Sequence, residues 1–146
     1  MGWERADYPR SSSRAPPLVR LLLDTCTFLW LAGGSRMLSP AAVASIQDPS
    51  NDVLLSAVSV WEIATKYGAG RLPLPDSPDR LIPARRRTRG IESLNFDEES
   101  ALQVLRLPML HRDPFDRMLI SQAIAHGLAI ATPDPAITQY PVRIVW

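Results

Sequence analysis

Five carboxylates in this sequence could bind a divalent metal ion together. Asp113 and Asp116 lie three residues apart in "HRDPFDR", Asp24 ends "LLLD", Glu62 lies in "SVWEIA" and Asp134 lies in "TPDP". Several carboxylates at one place repel one another unless a cation is present. The chain has one cysteine and two histidines. Such an oxygen-rich set therefore favours Mg²⁺ or Mn²⁺ over zinc.

The "HRDPFDR" acids also have a purely structural interpretation. Asp113 followed by Pro114 is typical of a helix N-cap with proline at the first helical position. Asp116 then lies in the first turn, where its negative charge is favourable beside the helix dipole. Taken alone, these two residues favour helix capping over metal binding.

The other three acids allow similar alternatives. Asp24 can cap a helix beginning at Thr25, and Asp134 can be an ordinary turn residue. Glu62 can be an exposed helix residue, but its neighbours are apolar, and an acid on a buried face needs a partner. Taken singly, each acid fits a structural role. Metal binding is favoured only if they share one location.

The elements that would position these acids alternate between short apolar strands and helices. We predict strands over 18–24, 52–57, 91–96, 128–133 and 142–146, and helices over 27–33, 39–48, 59–70, 78–89, 97–107 and 111–127. This alternation is typical of an α/β fold with three layers, in which helices cover both faces of a mostly parallel sheet of four to five strands. Ligand sites in such sheets form outside the carboxyl ends of the strands. Asp24 and Asp134 follow two predicted strands, and the other acids lie on helices that can reach that edge.

Composition indicates one globular domain. The chain has 146 residues, 46% of them hydrophobic, and a net charge of +1 that neither favours nor excludes a nucleic-acid partner. Residues 1–17 are rich in Ser, Pro and Arg, so we expect a disordered tail before a domain spanning 18–146. We find no secretory signal and no apolar run long enough to cross a membrane, so we expect a soluble, cytoplasmic protein.

Four quoted segments, in this order and spacing, resemble a PIN-domain ribonuclease. They are "LLLDT", "SVWEIATK", "HRDPFDRMLISQA" and "ATPDPAITQYPVRIVW", and the likeness covers residues 20 to 146. More closely, the segments resemble the VapC-type toxins of bacterial type II toxin–antitoxin modules. The resemblance implies a PIN-like fold and Mg²⁺- or Mn²⁺-dependent cleavage of single-stranded RNA.

The resemblance also assigns the acids. The four acids of the family match Asp24, Glu62, Asp116 and Asp134, and Asp113 is the additional acid of a subgroup with "DPFDR". A metal held by Asp24 and Asp116 can activate a water and neutralise phosphate oxygens, with Glu62 and Asp134 completing the site and Asp113 orienting ligands.

The resemblance further implies a small antitoxin protein as partner and a homodimer. The run "FLWLA" at residues 28–32 carries more apolar bulk than one buried helix face can accommodate, and Trp61 and Tyr67 add to it. We therefore predict a partner-binding patch that includes Trp30 and Trp61.

Other functions fit less well. A catalytically weak PIN scaffold that mainly binds RNA or an antitoxin remains open, although the full set of acids argues against it. A haloacid-dehalogenase-like phosphatase also places an aspartate after its first strand, but it needs D-x-D where this chain has Asp24-Thr25-Cys26. Cys26 has no credible base partner that would make it a nucleophile. His111 could contact substrate, but we favour a surface role flanking the helix.

Overall fold

The structure, a computed structural model, describes residues 18–146. The predicted tail at 1–17 lies outside the described residues. Within them, five parallel strands form one sheet in the order β3-β2-β1-β4-β5. The strands are β1 (Arg20–Leu23), β2 (Asp52–Ser56), β3 (Glu92–Leu94), β4 (Ala129–Ala131) and β5 (Ile144–Val145). The predicted parallel sheet is confirmed, and every pairing in it is parallel.

The order of the strands fixes where a site can form. From the central strand β1 the chain moves outward to β2 and β3, and then returns to β4 and β5 on the other side of β1. The direction of winding therefore changes between β1 and β4. Loops that leave these two strands diverge, and the crevice between them at the carboxyl ends is where open α/β sheets bind ligands.

Helices cover both faces of the sheet. In the part of the chain that is described they are α1 (Thr25–Ala32), α2 (Pro40–Gln47), α3 (Ala57–Gly68), α4 (Pro78–Arg89), α5 (Glu98–Leu102), α6 (Pro114–His126) and α7 (Pro135–Thr138). Four of them begin with proline in the first turn, directly after a Ser or Asp N-cap. Proline has no N–H to leave unpaired there, so these starts are specified locally.

Two of these elements differ from the prediction. The helix predicted over 97–107 is α5 followed by a 3-10 helix at Gln103–Arg106. Pro108 disfavours helical backbone at Leu107, which is extended, so the chain tightens and then leaves the helix before the proline. The short helix α7 was not predicted, because "PDPA" alone does not distinguish one helical turn from a loop.

The core consists of two apolar layers separated by the sheet. On β1, Leu21 and Leu23 face one layer, which also contains Phe28 of α1. Leu22 faces the other layer, where it packs in one cluster with Ile120 of α6. Because both faces of β1 are buried, its sequence is a continuous apolar run. The two layers confirm the predicted three-layer architecture. Among residues 18–146 no helix is long and apolar enough to cross a membrane.

Candidate functional site

Asp24 and Asp134 flank the crevice between β1 and β4. Asp24 is the N-cap of α1, and its Oδ1 accepts a hydrogen bond from the Thr27 backbone N–H at 2.7 Å. Its Oδ2 accepts from the Thr132 hydroxyl at 2.5 Å. The same Thr132 oxygen accepts from the Asp134 backbone N–H at 3.1 Å. One threonine just after β4 therefore fixes both acidic residues, and the sequence interpretation did not single it out.

Glu62 lies on the buried face of α3 and has two partners. Its Oε1 accepts from the Thr25 hydroxyl at 2.7 Å, and its Oε2 forms an ion pair with Lys66 at 2.5 Å, one helical turn further on. The Thr25 hydroxyl oxygen also lies 3.0 Å from the Ser59 hydroxyl, from which it can accept a hydrogen bond. The expectation that a buried acid needs a partner is met, and Thr25 at the start of α1 links Glu62 to the segment that carries Asp24.

Asp113 and Asp116 occupy the start of α6. Asp113 is the N-cap, and its Oδ1 accepts from the Asp116 backbone N–H at 3.0 Å, so the capping interpretation is correct. Asp116 faces a different neighbour: its Oδ2 lies 3.1 Å from Nε2 of His111. The interpretation of His111 as a surface residue was wrong, since His111 is half-buried and contacts a predicted site carboxylate. Capping and participation in an acidic site are therefore compatible.

Electrostatic coupling connects these segments. Burial raises the pKa of Asp24, and the nearby negative charge of Asp134 raises it further, although hydrogen bonds from Thr132 and Thr27 partly oppose this. Burial also raises the pKa of Asp116, to about 6, with further contributions from Asp113 and Asp134. Asp134 thus acts on acids from two other segments, which indicates that these acids share one crevice.

Cys26 and Lys66 border the same group. Burial raises the pKa of the Cys26 thiol, and the negative charges of Asp24 and Glu62 raise it further. A thiol beside acids stays protonated near neutral pH, which argues against nucleophilic catalysis by Cys26. The Glu62 hydrogen bond raises the pKa of Lys66, and the charge of Asp113 adds to it, so Lys66 remains a cation.

In the described part of the chain, no three of the five predicted acids have ligand atoms within 4.8 Å of one another, and the group that does lies elsewhere. Among residues 18–146, one group of three potential ligands has its atoms within 4.8 Å of one another: Asp97, Glu99 and His126. Asp97 caps α5 through the Ser100 backbone N–H and contacts His126 Nε2 at 2.8 Å. His126 ends α6, whereas Asp113 begins it, so this group is separated from the crevice by the length of that helix. Helix capping and the contact with His126 account for it.

The apolar run of α1 is mostly core. Phe28 is 0% exposed and Leu31 is also buried, whereas Leu29 and Trp30 are half-buried, so the run does exceed one fully buried face. Trp30 is half-buried, and its ring lies against that of Trp146, with centroids 6.0 Å apart. Trp61 on α3 is 67% exposed. Of the two tryptophans predicted to bind a partner, Trp61 is the one whose side chain is largely accessible.

Thr132→Val is a specific test of how the crevice is organised. The substitution keeps the shape of the side chain, but it removes the donor to Asp24 and the acceptor for the Asp134 N–H. The sequence predicts Asp24 as a metal ligand, and partners of metal ligands typically contribute about 10–100-fold to metal affinity. We therefore expect Mn²⁺ affinity, measured by titration calorimetry, to fall about 10-fold or more. Thr138→Val, on the exposed end of α7, is the matched control, and equal affinities in the two variants would contradict this role of Thr132.

Comparison with known proteins agrees with this architecture. The family model of the PIN domain matches residues 21–142. Ribonuclease VapC16 of Mycobacterium tuberculosis is 44% identical over 54 residues, a segment that spans 37% of this chain and only 38% of that protein.

Solved structures with the same fold include VapBC2 from Rickettsia felis bound to a promoter DNA fragment. It has a TM-score of 0.65 and 13% identity, over 86% of this chain and 97% of that one. DNA-bound VapBC from Salmonella typhimurium has a TM-score of 0.61 and 19% identity, over 87% and 97% of the two chains. These identities support the fold alone, whereas the family match covers most of the sequence, from the second residue of β1 through β4. The chain therefore belongs to the PIN domain family.

Proposed function

We propose that the protein is a metal-dependent endoribonuclease that acts as the toxin of a VapC-type toxin–antitoxin pair. One observation carries the chemistry: Asp24 and Asp116 come from separate segments, and besides the effect of burial the charge of Asp134 raises the pKa of both. A divalent cation in this crevice relieves the repulsion. The second candidate is a PIN scaffold that binds RNA or a partner without cutting.

The residues present fit a hard divalent cation, Mg²⁺ or Mn²⁺, because the candidate ligands are carboxylate oxygens. Asp24 and Asp116 are proposed to hold the ion, with Glu62 and Asp134 completing the site and Asp113 orienting ligands or waters at its exposed margin. When bound, such an ion acidifies a water molecule and neutralises phosphate oxygens during hydrolysis of a phosphodiester bond.

The protein's own contribution is to orient the carboxylates in advance. Thr132 holds one oxygen of Asp24, and Thr25 holds one oxygen of Glu62. Lys66 neutralises the second oxygen of Glu62 and thereby limits the negative charge that an approaching phosphate meets. Because these groups are fixed by hydrogen bonds, less side-chain freedom is lost when substrate binds.

Single-stranded RNA is the proposed substrate. The relative with 44% identity is named a ribonuclease, although the match spans a minority of its length. An unstacked strand is the proposed occupant of the crevice, and the exposed Arg112 beside Asp113 can contact a backbone phosphate. Base preference depends on stacking and loop shape, which the acids do not determine.

The test is cleavage of an RNA pool by the purified protein. We expect cleavage with Mg²⁺, none with EDTA, and recovery when Mn²⁺ is added back. Asp97→Asn is the matched control, because Asp97 also caps a helix but lies outside the crevice. It should cleave like the parent. Cleavage that persists in EDTA contradicts the metal-dependent mechanism, and RNA binding without cleavage under any metal supports the scaffold.

The antitoxin partner leads to a further prediction. We expect Trp61→Ala to weaken binding of the small protein encoded beside this one by about 10-fold or more, because exposed tryptophans often contribute about 2 kcal/mol at interfaces. Calorimetry measures the affinity, and RNA cleavage by the free variant should not change. Leu105→Ala removes an even more exposed apolar side chain from the 3-10 helix after α5 and serves as control. Parent-like affinity for Trp61→Ala would place the interface elsewhere.

A further inference from the structure

The hydroxyl of Tyr140 contacts the buried guanidinium of Arg117 on one side and His111, which borders the acidic crevice, on the other. Its oxygen lies 3.0 Å from Arg117 Nη1 and 3.2 Å from the His111 backbone nitrogen. A guanidinium and a backbone amide can only donate, so the Tyr140 oxygen accepts both hydrogen bonds. Tyr140 and Arg117 are both buried, and the Arg117 nitrogen is held in addition by the Pro108 carbonyl at 2.9 Å.

The third neighbour of this hydroxyl is the imidazole of His111. Its Nδ1 lies 2.8 Å from the Tyr140 oxygen. Because that oxygen already accepts two hydrogen bonds, its own proton is the one available for the contact, and Nδ1 has to accept it. A neutral imidazole whose Nδ1 accepts carries its proton on Nε2. The Nε2–H then donates to Oδ2 of Asp116 at 3.1 Å.

We infer that Tyr140 and Arg117 lock His111 in the Nε2–H tautomer and thereby make His111 the positioning residue of the Asp116 carboxylate. The inference deepens the proposed function and rests on it, because Asp116 is there a metal ligand. His111 holds Oδ2 of Asp116. Within residues 18–146 Oδ1 makes no side-chain hydrogen bond, and it is the oxygen left for a cation.

Packing supports the same orientation of the imidazole. The rings of His111 and Tyr140 meet edge to face, with centroids 5.3 Å apart and planes inclined by 63°. Rotating the imidazole by half a turn would break the contacts of both of its nitrogens at once. The direction of every hydrogen bond from Arg117 to Asp116 is therefore set by groups that can only donate.

The tautomer can be measured directly in the metal-free protein. Long-range ¹H–¹⁵N correlation spectra of histidine-labelled protein distinguish the two neutral tautomers. We expect His111 to be protonated on Nε2 in the parent and in Tyr67→Phe, which changes an exposed tyrosine of α3. Tyr140→Phe should lose this single state. A parent whose His111 carries its neutral proton on Nδ1 overturns the inference, whether or not the protein cuts RNA.

Metal affinity tests the positioning role. Since partners of metal ligands contribute about 10–100-fold, Tyr140→Phe and His111→Ala should each weaken Mn²⁺ binding by about 10-fold or more. His111→Gln can place an amide N–H near the position of Nε2–H, so it should recover much of the affinity lost in His111→Ala. If Tyr140→Phe loses the tautomer but binds Mn²⁺ like the parent, the positioning role is wrong. A parent that binds no Mn²⁺ contradicts the proposed function instead, and the tautomer measurement still decides the inference.

Discussion

Replacing Asp24 or Asp116 by asparagine is expected to reduce RNA cleavage by about 100-fold or more while raising the melting temperature of the metal-free protein. The loss of cleavage follows because even indirect partners of metal ligands contribute about 10–100-fold, and these two acids are proposed as direct ligands. The gain in stability follows from charge: each acid is partly or wholly buried beside other acids, and asparagine keeps its shape without its charge.

The sign of the stability change follows from the pKa of Asp116. Its folded-state value is raised from 3.8 to about 6, so the folded protein binds this proton more tightly than the unfolded chain does. The unfolding free energy therefore falls as pH rises from about 4 through 6, and the penalty is fully present at neutral pH. Allowing for partial solvent access, we estimate that Asp116→Asn recovers about 1–2 kcal/mol.

Asp97→Asn is expected to change stability in the opposite direction, although Asp97 also lies at the start of a helix. Hydrogen bonds from Ser100 and His126 lower the pKa of Asp97 to about 2, so its charge stabilises the fold above pH 4, and this contribution is lost as pH falls toward 2. We expect Asp97→Asn to lower the melting temperature slightly at neutral pH. Thermal melts in EDTA compare the variants. A large decrease for Asp24→Asn or Asp116→Asn would mean that the hydrogen bonds of that carboxylate outweigh its burial and its repulsion from the other acids.

Phe28→Ala is expected to lower the unfolding free energy by about 3–5 kcal/mol. Phe28 is fully buried in the layer that also contains Leu21 and Ile63, and the cavity left by its ring can close only partly. Trp30→Ala on the same helix should have a smaller effect, since Trp30 is half-buried at the surface. Urea unfolding curves measure both. Equal losses would contradict the assignment of Phe28 to the core and of Trp30 to the surface.

Local signals predicted most of the fold. Ser39–Pro40 and Asp113–Pro114 specify helix starts through neighbouring residues alone, and continuous apolar runs such as "LLL" in β1 specify strands buried on both faces. The break after α5 was missed because it depends on how strongly Pro108 acts against an otherwise helical sequence. The length of a marginal helix is a balance of small terms that no single residue determines.

The acids of the site could be predicted because strand ends carry carboxylates and a parallel sheet brings those ends to one edge. The groups that orient them could not. Thr132 reaches Asp24 across 108 residues of sequence, and Tyr140 reaches His111 across 29. Threonine and tyrosine are common in roles unrelated to a site, and nothing in their local sequence indicates a carboxylate or an imidazole as partner.

The position of β1 between β2 and β4 has a consequence during synthesis of the chain. β1 leaves the ribosome first among the described strands, but the hydrogen bond between Asp24 and Thr132 has to wait for 108 further residues. At about 5–20 residues per second this interval is roughly 5–20 seconds. Until β4 is made, one wall of the crevice does not exist, and Asp24 and Glu62 belong to a nascent chain without an assembled site. The crevice therefore forms only after β4 has been made.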